Sequence, residues 1–482
     1  MGTTSSRRAI ALAGFVSLTA LTGIVSAAPD ASAIADAVSA LDADHDRAIA
    51  AVYLLQKGGE QAAEQIRDSW SSLSLLAQRR ALDPLSHLAK NHGAAVEALV
   101  AAARSEDEEI RAGALAALGR SGRRGRDGLA RLVFDPLVGD RAAFALARTE
   151  PDFAIEPLLA AMASPGGSDR PGLRNAFATA IQRSGADAGP RLRRWLAGGP
   201  NPAAVASAAM GLAPLDEQRD VTAAFIEYAA PKSSDFPTVW RLLQSAKMAG
   251  PSDEVDAWVR RQLAGPEEWM LRQAAVDAIT TRGHREDARA SLADRYPRVR
   301  GRAAAALSGD SASLVSRATL ARRDVWPMVR ADAVFSLRTE AEAIPVVVAS
   351  VDDSMSVVRV AAIEVLTDSP HDEGWEAVRR RLRARNEWPE VTAAAIDYVA
   401  AHCRTDAVED LWRVVLRAAP ANARTEDLNN GARAIEALRT LRTPAAEAAI
   451  ERLRRTAEVP PTLKMALEKP LPEDGACPRE GR

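Results

Sequence analysis

Apolar residues along this chain recur at spacings of three and four almost from end to end, and no stretch of strict apolar–polar alternation competes with them. That period belongs to amphipathic helices rather than to strands. One segment, residues 324–337, shows the pattern at its clearest. Counted from Arg330 as zero, Asp324 stands at −6, Pro327 at −3, Val329 at −1, Ala333 at +3 and Leu337 at +7. Residues 294–307 place Asp294, Pro297, Val299, Arg300, Ala303 and Leu307 at the same offsets. Residues 353–366 do so with Asp353, Val358, Arg359, Ala362 and Leu366, Ser356 taking the Pro slot. In 386–399 Asn386, Pro389, Val391 and Ala395 persist, while Thr392 replaces Arg and Val399 replaces Leu.

The zero positions 272, 300, 330, 359 and 392 are separated by 28, 30, 29 and 33 residues. Weaker copies lie at 109–119, 139–147, 172–181, 204–213 and 430–438, for about ten units in all. Positions −1, +3, +4 and +7 share one helix face, so each copy predicts a helix of about three turns. Ala at +3 (Ala303, Ala333, Ala362) lets a partner helix approach, whereas Ala331, at +1, is expected off that face. Pro at −3 suits a first helical position, where its missing N–H costs nothing. Tyr296, Trp326 and Trp388, each just before a Pro, are expected to cover the incoming turn, and the −6 Asp to accept backbone N–H bonds there. A second apolar-periodic stretch separates successive copies, as at 341–351 and 373–384. Each unit is thus a helical hairpin too small to bury its own apolar face, and stacking supplies the missing surface. The predicted fold is all-α, a solenoid of stacked helical hairpins.

The pattern Asp-x-x-Pro-x-Val-Arg-x-x-Ala-x-x-x-Leu resembles the HEAT repeat, in particular the short bacterial type also found in phycobilisome-lyase-like proteins. The resemblance covers about residues 100–440 and is strongest over 266–399. It implies a ladder of bonds between adjacent repeats made by the −6 Asp and the zero-position Arg, here Asp294, Arg300, Asp324, Arg330, Asp353 and Arg359. Asn386 and Thr392 depart from the pattern, which puts the ladder in doubt at that step. Residues 28–99 are helical in pattern but show no clear repeat, which suggests an N-terminal cap. The repeats are taken to span 100–455, and the Pro- and Glu-rich segment 456–482 is expected to be poorly ordered.

The first residues alter the expected location. Arg7 and Arg8 precede an uncharged apolar run that ends at Val25-Ser26-Ala27, with a second small-residue exit at Ala31-Ser32-Ala33. A basic start, an apolar stretch and a small-residue exit make a secretory signal over residues 1–27. Sec and twin-arginine routes both remain open, as does an uncleaved signal that tethers the chain to a membrane. Export implies a periplasmic or secreted protein. It also places Cys403 and Cys477 where a disulfide is possible, although Cys403, seven residues after Ile396 and four after Val399, also reads as a small core residue on a helix face.

Acids and bases nearly balance, with 62 Lys and Arg against 64 Asp and Glu. No basic surface for nucleic acid is indicated. Residues 42–53 place acids as a calcium loop does but put Arg47 where Gly is needed and Tyr53 where a bidentate acid is needed, so a helix junction is the better reading. The Arg- and Gly-rich stretch 119–128 reads as a surface loop, and Arg379, Arg380, Arg381, Arg383 and Arg385 as the solvated face of a helix whose apolar side is Trp375, Val378 and Leu382. The iron-dependent deoxyhypusine hydroxylases, which share the HEAT architecture, carry His-Glu pairs. Here His87, His284, His371 and His402 are followed by Leu, Arg, Asp and Cys. Neighbouring Cys403 and His402 point about 100° apart on a helix, which disfavours a nucleophilic pair.

No catalytic, cofactor or metal site is therefore expected. The reading is an exported, non-enzymatic scaffold that binds another protein or envelope macromolecule on a concave surface. A different class, an accessory factor or lyase-like enzyme of the phycobilisome-lyase type, is the alternative. Position +5 of the second helices points away from the core and carries Asp277, Ala305, Phe335, Glu364 and Asp397. The acids among them, with Phe335, are the expected partner-binding ridge, suited to a basic, partly apolar segment of a partner.

Overall fold

The computed structural model describes residues 29–185, 188–265, 267–370, 373–455, 458–470 and 477. The expected signal at 1–27 lies outside them. Helices joined by short turns and 3-10 segments account for the regular structure, and no strand occurs among the described residues. The fold is an all-α solenoid. No described helix is long and apolar enough to cross a membrane. The chain divides into two compact units, residues 1–188 and 189–482.

In the first unit the helices His45–Lys57, Leu75–Leu88, Glu108–Arg120, Gly139–Thr149 and Pro171–Ser184 pack in succession. A second row, Ala31–Ala40, Gly59–Ser69, Gly93–Ala102, Gly122–Leu132 and Pro151–Ala163, lies against them. The two-row stacking thus already begins at residue 31, within the segment that shows no repeat in its sequence. Asp44 caps His45–Lys57 by accepting the Arg47 N–H, which settles residues 42–53 as a helix junction.

The Arg- and Gly-rich stretch is not a loop, contrary to expectation. Gly122–Leu132 is helical, and its glycines mark close approach. A Cβ on Gly125 would stand 2.0 Å from the Leu118 carbonyl oxygen, and one on Gly128 would press on Val96 and Leu118.

In the second unit the row of second helices runs through Trp269–Thr281, Pro297–Ala306, Pro327–Ser336, Ser356–Asp368, Pro389–Ala401 and Thr425–Leu441, each packed on the next. Pro297, Pro327 and Pro389 open their helices after an extended residue. Asp294, Asp324 and Asp353 accept the N–H two residues on, which fixes each turn. Val299, Val329 and Val358, with Ala303, Ala333 and Ala362, are buried as the pattern requires.

Three expectations need correction. Ala331 is buried too, because each second helix has a second helix on both sides and its buried arc widens to include +1. Trp326 and Trp388 do not cover their turns; they are 55% and 60% exposed. The tail is helical over Pro461–Glu468, where Leu463, Ala466 and Leu467 supply an apolar face that docks on Thr425–Leu441.

Beyond that helix, Cys477 is bonded to Cys403 with a Cα–Cα distance of 5.6 Å. Its N–H donates to the Thr440 carbonyl. Cys403 is not on a helix face, since the helix ends at Ala401 and Cys403 itself adopts a φ of 49°. His402 stacks on Tyr398 and bonds to the Leu366 carbonyl, so its ring is committed to packing.

Candidate functional site

Charge in the second unit is distributed by rule. Arg272, Arg300 and Arg330 each reach the −6 Asp of the following repeat through two nitrogens: Arg272 to Asp294, Arg300 to Asp324 and Arg330 to Asp353, at 2.7–2.9 Å. Arg300, Arg330 and Arg359 also donate to the backbone carbonyl of the −6 Asp in their own repeat. Burial raises the Asp324 carboxyl, but the Arg300 hydrogen bonds, the Trp326 N–H and the charges of Arg300 and Arg330 outweigh it and hold it below the usual carboxylate range. Asp294 and Asp353 behave alike.

At the step where Asn386 breaks the pattern, Arg359 turns to Glu387 at 2.5 Å, leaving its Nε buried without a partner, and Thr392 back-bonds weakly to Trp388. The expected solvated arginines are also engaged. Arg379 and Arg383 bind the buried Asp410, and Arg380 and Arg381 bind Asp352. These groups join repeats and are consumed by doing so.

The outward face of the second helices carries charge that this ladder does not use. There Phe335, Glu364 and Asp397 line one hollow of about 440 Å³, together with Asp368, Glu390 and Arg433. Phe335 is 42% exposed, and the Arg338 guanidinium lies 4.6 Å above its ring. Asp397 is paired with Arg433 at 2.5 Å. Glu364, Asp368 and Glu390 make no ion pair with any described residue. The floor is apolar, formed by Val360, Ala393 and Ala394. Thr367, the hollow's one hydroxyl, donates to the Ile363 carbonyl. Carboxylates around an apolar floor bind cationic groups that carry hydrocarbon stems.

Asp277 does not join this hollow, which corrects the expected ridge. Arg302 of the next repeat and Lys247 of the preceding one neutralise it. A neighbouring hollow of about 680 Å³ is lined by Tyr296, Trp326, Met328, Arg298, Arg302 and Asp332. Burial pushes the Asp332 carboxyl above the usual range, against the pull of Arg302. Offsets −4, −2 and +2 build this wall and lie off the predicted buried face, although turn packing is the reading the sequence suggests for Tyr296 and Trp326. Among the described residues, His284, Glu286 and Asp287 are the one group of three side chains placed to share a metal ion.

No protein-family model matches the chain, and no curated protein sequence matches it. Solved structures match in fold. A chain of the structure in which Kap95p binding induces the switch loops of RanGDP to adopt the GTP-bound conformation gives a TM-score of 0.50 at 11% identity, over 91% of this chain and 76% of that one. Importin beta in a polyethylene glycol condition gives 0.47 at 14% identity, over 89% and 68%. Yeast importin-beta (Kap95p) gives 0.43 at 13% identity, over 87% and 63%. At such identities the likeness concerns the fold alone, and the fold is an α-solenoid.

Proposed function

We propose that this chain is an exported, non-catalytic HEAT-type scaffold that binds a protein of the cell envelope through the second-helix face of residues 189–482. One observation carries the reading: Phe335, Glu364 and Asp397, separated by about thirty residues each in sequence, meet in a single hollow with Asp368 and Glu390. The segment that fits is basic and partly apolar, with a hydrocarbon group on Phe335 and Lys or Arg among the free carboxylates. The Kap95p structure gives an α-solenoid that binds another protein, which supports the class of function but not the partner. The Cys403–Cys477 disulfide supports export, since such bonds persist in oxidising compartments.

The test is a photo-crosslinking amino acid at Ala393, on the floor of the hollow, used in envelope extract beside the same probe at Val315, exposed on a first helix. A discrete adduct from Ala393 and none from Val315 is expected. Phe335→Ala and a Glu364→Lys/Glu390→Lys pair should each weaken the complex without lowering the melting temperature. Equal adducts from both probes, or unchanged affinity in both variants, overturns the assignment.

A further inference from the structure

The segment after the helix Trp269–Thr281 reads Gly283-His284-Arg285-Glu286-Asp287, its last three residues opening the short helix Arg285–Ala288, and it plays no part in the proposed partner surface. It turns at Gly283, whose φ of +96° is open to glycine and strained for other residues. The turn brings three side chains together. One donor atom from each of His284, Glu286 and Asp287 lies within 4.8 Å of the other two. His284 Nδ1 itself is 3.8 Å from Glu286 Oε1.

The other ring nitrogen is already committed. His284 Nε2 lies 2.8 Å from Oδ2 of Asp256, on the helix Asp253–Ala264 of the preceding hairpin. Asp256 is buried, and its second oxygen accepts from Arg282. Arg282 is fixed in turn by the carbonyls of Ala246, Ala249 and Gly250. A carboxylate held this way accepts only, so Nε2 donates to it and Nδ1 is the nitrogen left to serve a metal ion. Nδ1 faces the Glu286 carboxylate, and Asp287 belongs to the same cluster. Arg260 offsets the charge of Asp287, whereas Glu286 has only the His284 ring beside it within this cluster.

We infer that His284 Nδ1, Glu286 and Asp287 form a binding site for one divalent transition-metal ion of the zinc type, with Asp256 as the positioning residue on the far ring nitrogen. An imidazole nitrogen with two carboxylate oxygens suits zinc and its neighbours better than calcium or magnesium, which take all-oxygen shells. A carboxylate behind the ligating histidine is the usual means of fixing ring and tautomer. Arg260 holds Asp287 through Oδ2, which leaves Oδ1 for the ion. A tetrahedral shell of zinc–ligand bonds sets its donors about 3.4 Å apart, so binding requires the cluster to draw in from its present spread. Glu286, 59% exposed, provides the entry side.

The experiment is isothermal titration of the chelator-stripped, disulfide-intact full chain with zinc chloride and, separately, calcium chloride. One tight zinc site per chain is expected, with calcium far weaker. Glu286→Gln lies at the surface, so its metal-free melting temperature should match the parent while zinc affinity falls at least about tenfold. His284→Asn should remove the site. Absence of zinc binding overturns the inference. Zinc binding that survives both substitutions, or calcium binding of equal strength, overturns it as well.

Discussion

The first unit and the regular stretch of the second solve one problem, joining each hairpin to the next, by different means. Between residues 272 and 353 the joint is an Arg–Asp pair sunk into the stack, with Arg300 and Asp324 side chains only 14% and 4% exposed. In the first unit the corresponding pairs are open on the arginine side, over carboxylates 15% and 11% exposed. Arg79 to Asp107 and Arg104 to Asp135 have arginines 42% and 50% exposed. Close packing there falls to small residues, above all Gly125 and Gly128. A buried pair needs one acid at one place in the turn, so it stamps a period on the sequence. A surface pair is reached from several positions, and a close contact is met by glycine wherever helices happen to cross.

That contrast predicts unequal responses, and the largest is at the buried joint. Asp324→Ala strands the Arg300 guanidinium in a half-dry environment and removes the acceptor for the Trp326 N–H. Breaking a buried pair from one side costs about 3–5 kcal/mol, and partial solvent access puts this case near the lower end. Hydrogen exchange should show accelerated opening of Pro297–Ala306 and Pro327–Ser336, with the first unit unaffected. Uniform protection across both helices would remove the pair from the account of how repeats are joined.

Next come the packing sites. Ala333→Leu and Gly125→Ala should each cost about 1–3 kcal/mol, the first by overpacking a helix contact and the second by driving a methyl group into the Leu118 carbonyl. Ala331→Leu should also destabilise, though less than Ala333→Leu, since Ala331 keeps some contact with solvent. Urea melts of the three variants rank them. A neutral Gly125→Ala would mean that the close crossing in the first unit is slack.

The same contrast explains what could be read from the sequence. Units near 294, 324 and 353 were legible because every diagnostic residue is buried or bonded in the turn. The helix Gly122–Leu132 was hidden because glycines and arginines look like a loop until the facing helix is known. The helix Pro461–Glu468 was hidden by the prolines around it, although Leu463 and Leu467 repeat at four. Of the hollow, position +5 gave Phe335, Glu364 and Asp397, while Asp368 and Glu390 came from other offsets and Asp277 was lost to Arg302. The His284 cluster was invisible for a related reason. Its histidine is followed by Arg, and Asp256, which orients it, lies 28 residues earlier in another hairpin.

Acid should probe the buried joints as a set. Asp294, Asp324 and Asp353 titrate below their unfolded values near 3.9, so the folded state binds fewer protons than the unfolded one in that range. Their contribution is complete above the unfolded value and is lost as pH falls through the folded one. The stretch 294–353 should therefore keep its protection at about pH 5 and lose it progressively below about pH 4. A transition centred near neutrality would point to a different titrating group.

The smallest effect belongs to the surface pairs, and salt distinguishes it from the rest. Arg79 lies between Asp107 and Glu109, and the Asp107 carboxyl sits below its ordinary value chiefly through its bond to Arg79, with the Ile110 N–H adding to this. Asp107 also caps the helix Glu108–Arg120, so removing Arg79 leaves that carboxylate well placed on the Ile110 N–H. Little is then lost beyond the attraction of an exposed guanidinium for a carboxylate that keeps its backbone partner. Arg79→Ala should shift the urea midpoint slightly at low ionic strength. At about 1 M salt, where charges are screened within about 3 Å, it should be indistinguishable from the parent. Arg300→Ala should keep most of its deficit under the same conditions, because Asp324 stays desolvated and loses its two guanidinium bonds. If salt rescues both variants equally, the buried joint is no different in kind from the exposed one, and the regular period of the sequence needs another cause.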